Sequence, residues 1–256
     1  MRLKAPVKLG AATAALLPAL LLATAGCSGT GTPEAGKAPD PKGSASAPNP
    51  PTGAPGAPAS SAAPKKAGTR LERTALEQGD LAGYQISAQG KNPNAPDGQP
   101  QADKKPCQPL ADIMGDKPDP AARETVNRGV GSQKQVGLAV SASVSSYAEK
   151  DAERLMSRLR DAVAACGSGF AATVQKQTGS YRDVKPTPYE TGGDESVSWT
   201  TTAAAQGVSA QVHLVVVREG ATVVRLMALN VAAAEKKARV PREVVDKQLE
   251  KVQRAA

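Results

Sequence analysis

The sequence predicts an α+β fold: an antiparallel β-sheet with helices packed on it, preceded by a signal peptide and a disordered linker. Three observations predict it. The C-terminal half holds successive strand-like runs joined by short turns, which favours antiparallel pairing. Segments with apolar residues at helical spacing precede and follow those runs. Residues 28–66 have almost no bulky apolar side chain, so they build no core. The expected division is a leader at 1–26, a lipid-anchored linker at 27–68 and an α+β domain at 69–256.

The leader comes first. Arg2, Lys4 and Lys8 precede an apolar stretch from Leu9 to Ala23, which ends in Thr24-Ala25-Gly26-Cys27. A basic start, a short apolar run and small residues at a cut site describe a secretory signal. The run is shorter than the ~20 residues a membrane-spanning helix needs, and Pro18 interrupts it. Small-small-Cys at its end resembles the lipobox of bacterial lipoproteins, although Leu is commoner than Thr24 three places before the cysteine. The resemblance implies a diacylglyceryl thioether on Cys27. Two acyl chains at ~0.8 kcal/mol per buried methylene anchor stably where one is marginal. The expected location is the extracytoplasmic face of the cell membrane.

From Ser28 to about Lys66 the chain is nearly all Gly, Pro, Ala, Ser and Thr. Such a composition cannot offset its ordering entropy by burial. About 40 residues reach roughly 120 Å if stiff and ~35 Å as a random coil. The segment reads as a tether.

The domain opens on Thr69-Arg70-Leu71-Glu72, a capping box. Leu71, Ala75 and Leu76 share the helix face that follows, and Gly79 is its expected stop. Tyr84–Ser87 reads as a short strand and Gly90–Lys105 as a loop. Pro109 starts a short helix carrying Leu110, Ile113 and Met114. In Gln135–Ser145 the residues Val136, Leu138, Val140, Ala142 and Val144 alternate with small or polar ones, a strand with one buried face. Ser146-Tyr147-Ala148-Glu149 reads as a second capping box. The helix after it has an apolar stripe of Ala152, Leu155, Met156, Leu159, Ala162, Val163 and Cys166. Further strands are expected at Phe170–Lys176, Tyr181–Val184 and Val197–Ala203. Val208–Arg218 and Thr222–Val231 make a hairpin. A three-residue turn sets Leu226 opposite Leu214 and buries no charge, so that register is expected. Pro241 opens a final helix with Val245, Leu249 and Val252 inward.

Charge and composition bound the function. Lys and Arg number 32 against 24 Asp and Glu. Without Arg2, Lys4 and Lys8 the balance is 29 against 24, or +5. No basic run interleaves with aromatics, so nucleic acid is not an expected partner. The expected partners are the membrane, through Cys27, and an unidentified ligand or envelope component. Cys107 and Cys166 remain once Cys27 is lipidated, and an exported chain with two cysteines most simply pairs them. A redox or metal pair is the alternative. With a single histidine and no Cys-x-x-Cys spacing, no metal and no cofactor is expected.

No catalytic motif stands out. There is no Gly-x-Ser-x-Gly elbow, no Ser-x-x-Lys and no phosphate-cradling glycine loop. His213, the sole histidine, sits on a strand face with Ser209 and Gln211. Asp194 and Glu195 fall together in a turn, where carboxylates serve acid-base chemistry or a hard cation. Tyr181, Tyr189 and Trp199 lie near that turn in sequence. Together these five residues form a candidate ligand groove.

The set Asp80-Leu81-Ala82-Gly83-Tyr84, Cys107-Gln108-Pro109-Leu110, the strand into the helix ending at Cys166, Gly193-Asp194-Glu195, and the closing hairpin with its helix carries a resemblance. It resembles the extracellular sensor-like domains of actinobacterial lipoproteins, related to the sensor domain of a mycobacterial serine/threonine kinase. The resemblance covers residues 70–253. It implies an antiparallel sheet with helices around a ligand-binding cleft. This chain departs from the kinase in having no kinase domain, and one candidate disulfide where that sensor domain has two. The expected function is a non-enzymatic, membrane-anchored ligand- or partner-binding module. The alternatives are an envelope hydrolase or transferase using Asp194 and Glu195, and a structural wall-binding protein.

Overall fold

A computed structural model describes residues 68–90, 98–233 and 236–255. The expected signal peptide, Cys27 and the linker up to residue 67 lie outside the described residues. In chain order the elements are α1 (Arg70–Thr74), β1 (Tyr84–Gln89), β2 (Gln101–Ala102), α2 (Gln108–Met114), β3 (Glu124–Ser132) and β4 (Leu138–Ser146). Then follow α3 (Glu149–Ala165), β5 (Phe170–Val174), β6 (Gln177–Pro186), β7 (Glu195–Ala205), β8 (Val208–Glu219), β9 (Thr222–Asn230) and α4 (Arg242–Arg254). A 3-10 turn, Lys105–Cys107, leads into α2.

The nine strands form one sheet in the order β1-β3-β4-β9-β8-β7-β6-β5-β2. Every neighbouring pair is antiparallel. This is the expected α+β architecture. Helices cover both faces. Leu71, Leu76, Val245, Leu249 and Val252 of the α1 and α4 layer pack with Val140, Val144, Val215, Val217, Val224 and Leu226. On the other face Leu110, Ile113, Leu155, Met156 and Leu159 pack with Val197, Trp199, Leu214 and Val216. Strand β8 lies between the two layers and is buried from Val212 through Arg218. A strand covered on both faces reads as a continuous apolar run rather than an alternating one, which accounts for the Leu214–Val217 stretch.

The helical stripes fold as their spacing requires. All of Ala152, Leu155, Met156, Leu159, Ala162, Val163 and Cys166 are buried. Each large member contributes about 1.5–3 kcal/mol by leaving water. At α1 both halves of the capping box form: the Glu72 amide donates to Thr69 Oγ1 at 3.2 Å, and the Thr69 amide donates to Glu72 Oε2 at 2.8 Å. The helix stops at Thr74, short of Gly79. Gln248 of α4 intervenes. Its Nε2 donates to Thr74 O at 2.6 Å, and its Oε1 accepts from the Leu76 amide at 3.1 Å. A side chain from another element thus satisfies the groups a longer helix would have used internally.

Three local expectations are corrected. Ser146 caps no helix. Its carbonyl accepts from Arg123 N at 2.8 Å inside the sheet, and α3 starts from Ala148 without a side-chain cap. Val136 is 82% exposed. The strand begins two residues later because Gly137 turns the chain at φ +87°, where a Cβ would stand 2.6 Å from that of Ala232. The β8–β9 hairpin pairs Glu219 with Thr222 and Val216 with Arg225, so its turn has two residues, Gly220 and Ala221. The three-residue turn would keep every charge out of the core, whereas the observed register buries one. Arg225 is only 3% exposed. Its Nη1 donates to Ile113 O at 2.8 Å, its Nε to Ser143 Oγ at 3.1 Å, and its Nη2 pairs with Asp116. Strand β3 was not foreseen, since Val126 and Val130 are its only large apolar residues.

Cys107 and Cys166 form a disulfide, with Cα atoms 5.8 Å apart. It ties the start of α2 to the end of α3. Both cysteines are buried.

Candidate functional site

The sheet separates the five residues of the expected groove. Trp199 is completely buried beneath α3, facing Leu214 across the β7–β8 ladder. Tyr181 stacks on Phe170 on that same face, with ring centroids 4.8 Å apart. Tyr189 packs against the opposite core. These aromatics do not share one wall.

Asp194 and Glu195 are held in an ion-pair knot. Arg218 Nη1 meets Asp194 Oδ2 at 2.9 Å and its Nε meets Glu195 Oε1 at 2.8 Å. Arg160 of α3 meets Glu195 Oε2 at 2.6 Å. The Gly220 amide donates to Asp194 Oδ2 at 2.8 Å. The hydrogen bond from Arg160, with that from Arg218, holds the Glu195 carboxyl below its ordinary value. A carboxylic acid poised to give a proton needs the opposite shift. The knot staples α3, β7 and the β8–β9 turn. Among the described residues no group of three or more His, Cys, Asp and Glu gathers to hold a metal.

His213 is fully buried, contrary to its polar sequence neighbours. The Val240 amide donates to Nδ1 at 3.0 Å, and Ser198 Oγ lies 3.1 Å from Nε2. A ring nitrogen that accepts carries no proton, so in the neutral ring the hydrogen sits on Nε2 and points at Ser198. A serine nucleophile requires the reverse, a free lone pair facing its hydroxyl. Burial, with the nearby Arg239 charge, drives the imidazole down to about 4. The pair is structural in geometry.

Tyr189 and Val240, which contact His213, line a cleft of about 600 Å³ between residues 188–190 and 237–242. Lys237, Arg239 and Arg242 line it with Tyr189, Glu190 and Gln135. The Tyr189 hydroxyl donates to Val240 O at 3.2 Å. Val240 is therefore held at both ends of its backbone, by Tyr189 and by His213. That grip sets the residues on either side, Arg239 and Pro241-Arg242, around the opening. The Arg239 guanidinium lies over the Tyr189 ring, 5.6 Å from its centroid. Its Nη2 donates to Pro188 O at 3.1 Å, and Arg242 Nη2 donates to Glu190 O at 3.0 Å. Burial pushes the Tyr189 phenol up to about 12, so it stays neutral.

Of the candidates named from sequence, Tyr189 alone borders this cleft. The three cations were missed. The available signal was the run Lys236-Lys237-Ala238-Arg239-Val240-Pro241-Arg242, with four basic residues in seven. A second concavity of about 870 Å³ opens on the sheet at β1, β3, β4 and β9. Gln85, Gln89, Gly129, Ser141, Met227 and Leu229 line it, and it holds no titratable side chain.

No family model and no curated protein matches the chain. Solved structures do. The extracellular domain of PknH from Mycobacterium tuberculosis is similar, with a TM-score of 0.45 and 11% identity over 73% of this chain and 94% of that one. A Mycobacterium smegmatis protein described as an Rv0999 ortholog is similar at a TM-score of 0.38 and 10% identity, over 68% and 90%.

Proposed function

We propose that this chain is a lipid-anchored extracytoplasmic module whose α+β head binds a ligand or partner without turning it over. The observation that carries the proposal is the buried Cys107–Cys166 disulfide. Such bonds persist in oxidising compartments. The chain has three cysteines, so this pairing leaves Cys27, at the end of the apolar leader, as the remaining thiol. Among the described residues no helix is long and apolar enough to cross a membrane. Lipid on Cys27 supplies attachment in this reading. The non-catalytic half is supported by His213, whose Nδ1 lone pair is taken by Val240. It is supported also by Asp194 and Glu195, which Arg218 and Arg160 neutralise.

Two measurements test it. Cells expressing the full chain and Cys27→Ser are fed an alkyne-tagged fatty acid. Label is expected on the first and absent from the second; equal labelling refutes the anchor. Purified protein is then incubated with isolated cell wall, beside an Asp194→Ala/Glu195→Ala variant. Turnover that the double variant abolishes would establish the hydrolase instead.

A further inference from the structure

The cleft beneath Arg239 has a charge that its own residues leave unbalanced. Lys237, Arg239 and Arg242 bring three positive charges to its lining, against one carboxylate, Glu190. Glu190 contributes little neutralisation. Its side chain is 93% exposed, and it approaches Arg242 only to 3.7 Å. Among the described residues neither Lys237 nor Arg239 meets a carboxylate; Arg239 is held instead by a carbonyl and an aromatic face. The net charge of the lining residues is +2; beyond the lining, Asp246 and Glu243 act on Tyr189, and Glu243 is itself paired with Lys134.

Two guanidiniums present several donors each in planar forks, the geometry suited to multidentate oxyanions. A phosphomonoester carries close to −2 near pH 7, with three terminal acceptor oxygens. A single carboxylate would leave one charge uncompensated. Lys237, Arg239 and Arg242 are all exposed, and backbone contacts restrain the two arginines. Carbonyls hold both arginines, and the Tyr189–Val240–His213 chain pins the loop between them. Preorganised donors lose less entropy when a ligand arrives.

We propose that this cleft is the binding site for a phosphomonoester group, carried by a soluble molecule or by a lipid headgroup. The assignment rests on the reading of the head as a binding module, and names the ligand class.

The test uses full-length protein in nonionic detergent, with two probes. One is sn-glycerol 3-phosphate, followed by calorimetry. The other is phosphatidic acid in the same detergent micelles, set against phosphatidylcholine in those micelles, followed by calorimetry, so that the protein's own acyl chains are already satisfied by detergent. Saturable binding is expected in at least one arm. Arg239→Gln should weaken it about tenfold or more, the scale of one lost charge-assisted contact. Lys237→Gln removes a point charge rather than a planar fork and should weaken it less; both positions are exposed, which guards against a folding defect. Lys150→Gln, on the exposed side of α3, should leave it unchanged. Binding of glycerol phosphate supports a soluble ligand. Binding confined to phosphatidic acid micelles, with the same dependence on Arg239, supports a headgroup. No binding in either arm overturns the proposal, as does a loss that is equal for Lys150→Gln and Arg239→Gln. Binding with release of inorganic phosphate supports the cleft and overturns the non-catalytic reading instead.

Discussion

The Val240 amide points at Nδ1 of His213 across 3.0 Å inside the closed core. An imidazole that gained a proton there would turn one donor against another. The ring is also fully buried, so its charged form loses its hydration. These facts make stability depend on pH. The folded value is about 4, against an ordinary 6.5. As pH falls the unfolded chain takes up the proton first. Stability is thus complete above about 6.5 and is lost progressively down to about 4, by about 3 kcal/mol in all. Urea unfolding across that range should show the decline. His213→Gln should flatten it between pH 6.5 and 5, where the lowered carboxyls of Glu195 and Glu243 do not yet titrate.

Reducing the Cys107–Cys166 bond should destabilise the head strongly. The bond closes a loop with a sequence separation of 59. Chain-entropy reasoning gives about 4 kcal/mol for a loop of that size. A Cys107→Ala/Cys166→Ala variant, compared with the parent by urea denaturation, is expected to lose about 2–5 kcal/mol. A change below about 0.5 kcal/mol would show that the helices α2 and α3 hold each other without it.

Arg225→Ala should cost about 3–5 kcal/mol, because it leaves Asp116 without its partner and opens space beneath α2. The guanidinium also serves Ile113 O and Ser143. Arg225→Met, apolar and of similar length, should be better tolerated than alanine. Thermal unfolding of the two variants side by side distinguishes a packing role from a charge role.

Gln248→Leu keeps the volume of the side chain and removes its amide. The Leu76 amide and Thr74 carbonyl then lose their partner within the core. Each such group costs about 1–3 kcal/mol when left unmet. The expected readout is a lowered urea midpoint, with faster hydrogen exchange confined to residues 70–78.

Much of the architecture was legible in the chain. The stripe of α3 has helical period, so its inward face could be named residue by residue; in α4 the spacing gives Val245, Leu249 and Val252 but not the buried Val244 and Gln248. The disulfide followed from counting cysteines. The errors share one cause. Ser146 had a sound local capping motif, but a β-pair offered its backbone more. Gly79 was a sound local stop, but Gln248 ended the helix sooner. The hairpin register rested on keeping Arg225 out of the core, and Asp116, remote in sequence, made its burial tolerable.

By itself the sequence determined the class of fold, the helical faces, the cysteine pairing and the expectation of an anchored head. These depend on periodicity, composition and counting, which are local or additive properties. Tertiary structure alone decided which polar groups are buried and which face outward. It sent Trp199 and Tyr189 to opposite faces of the sheet and drew His213 inside. It also used Val240, held by both Tyr189 and His213, to set Arg239 and Arg242 around one cleft. The physical reason is that a buried charge or amide is admissible only where a partner arrives from elsewhere in the chain. Such partners meet only when the sheet has closed.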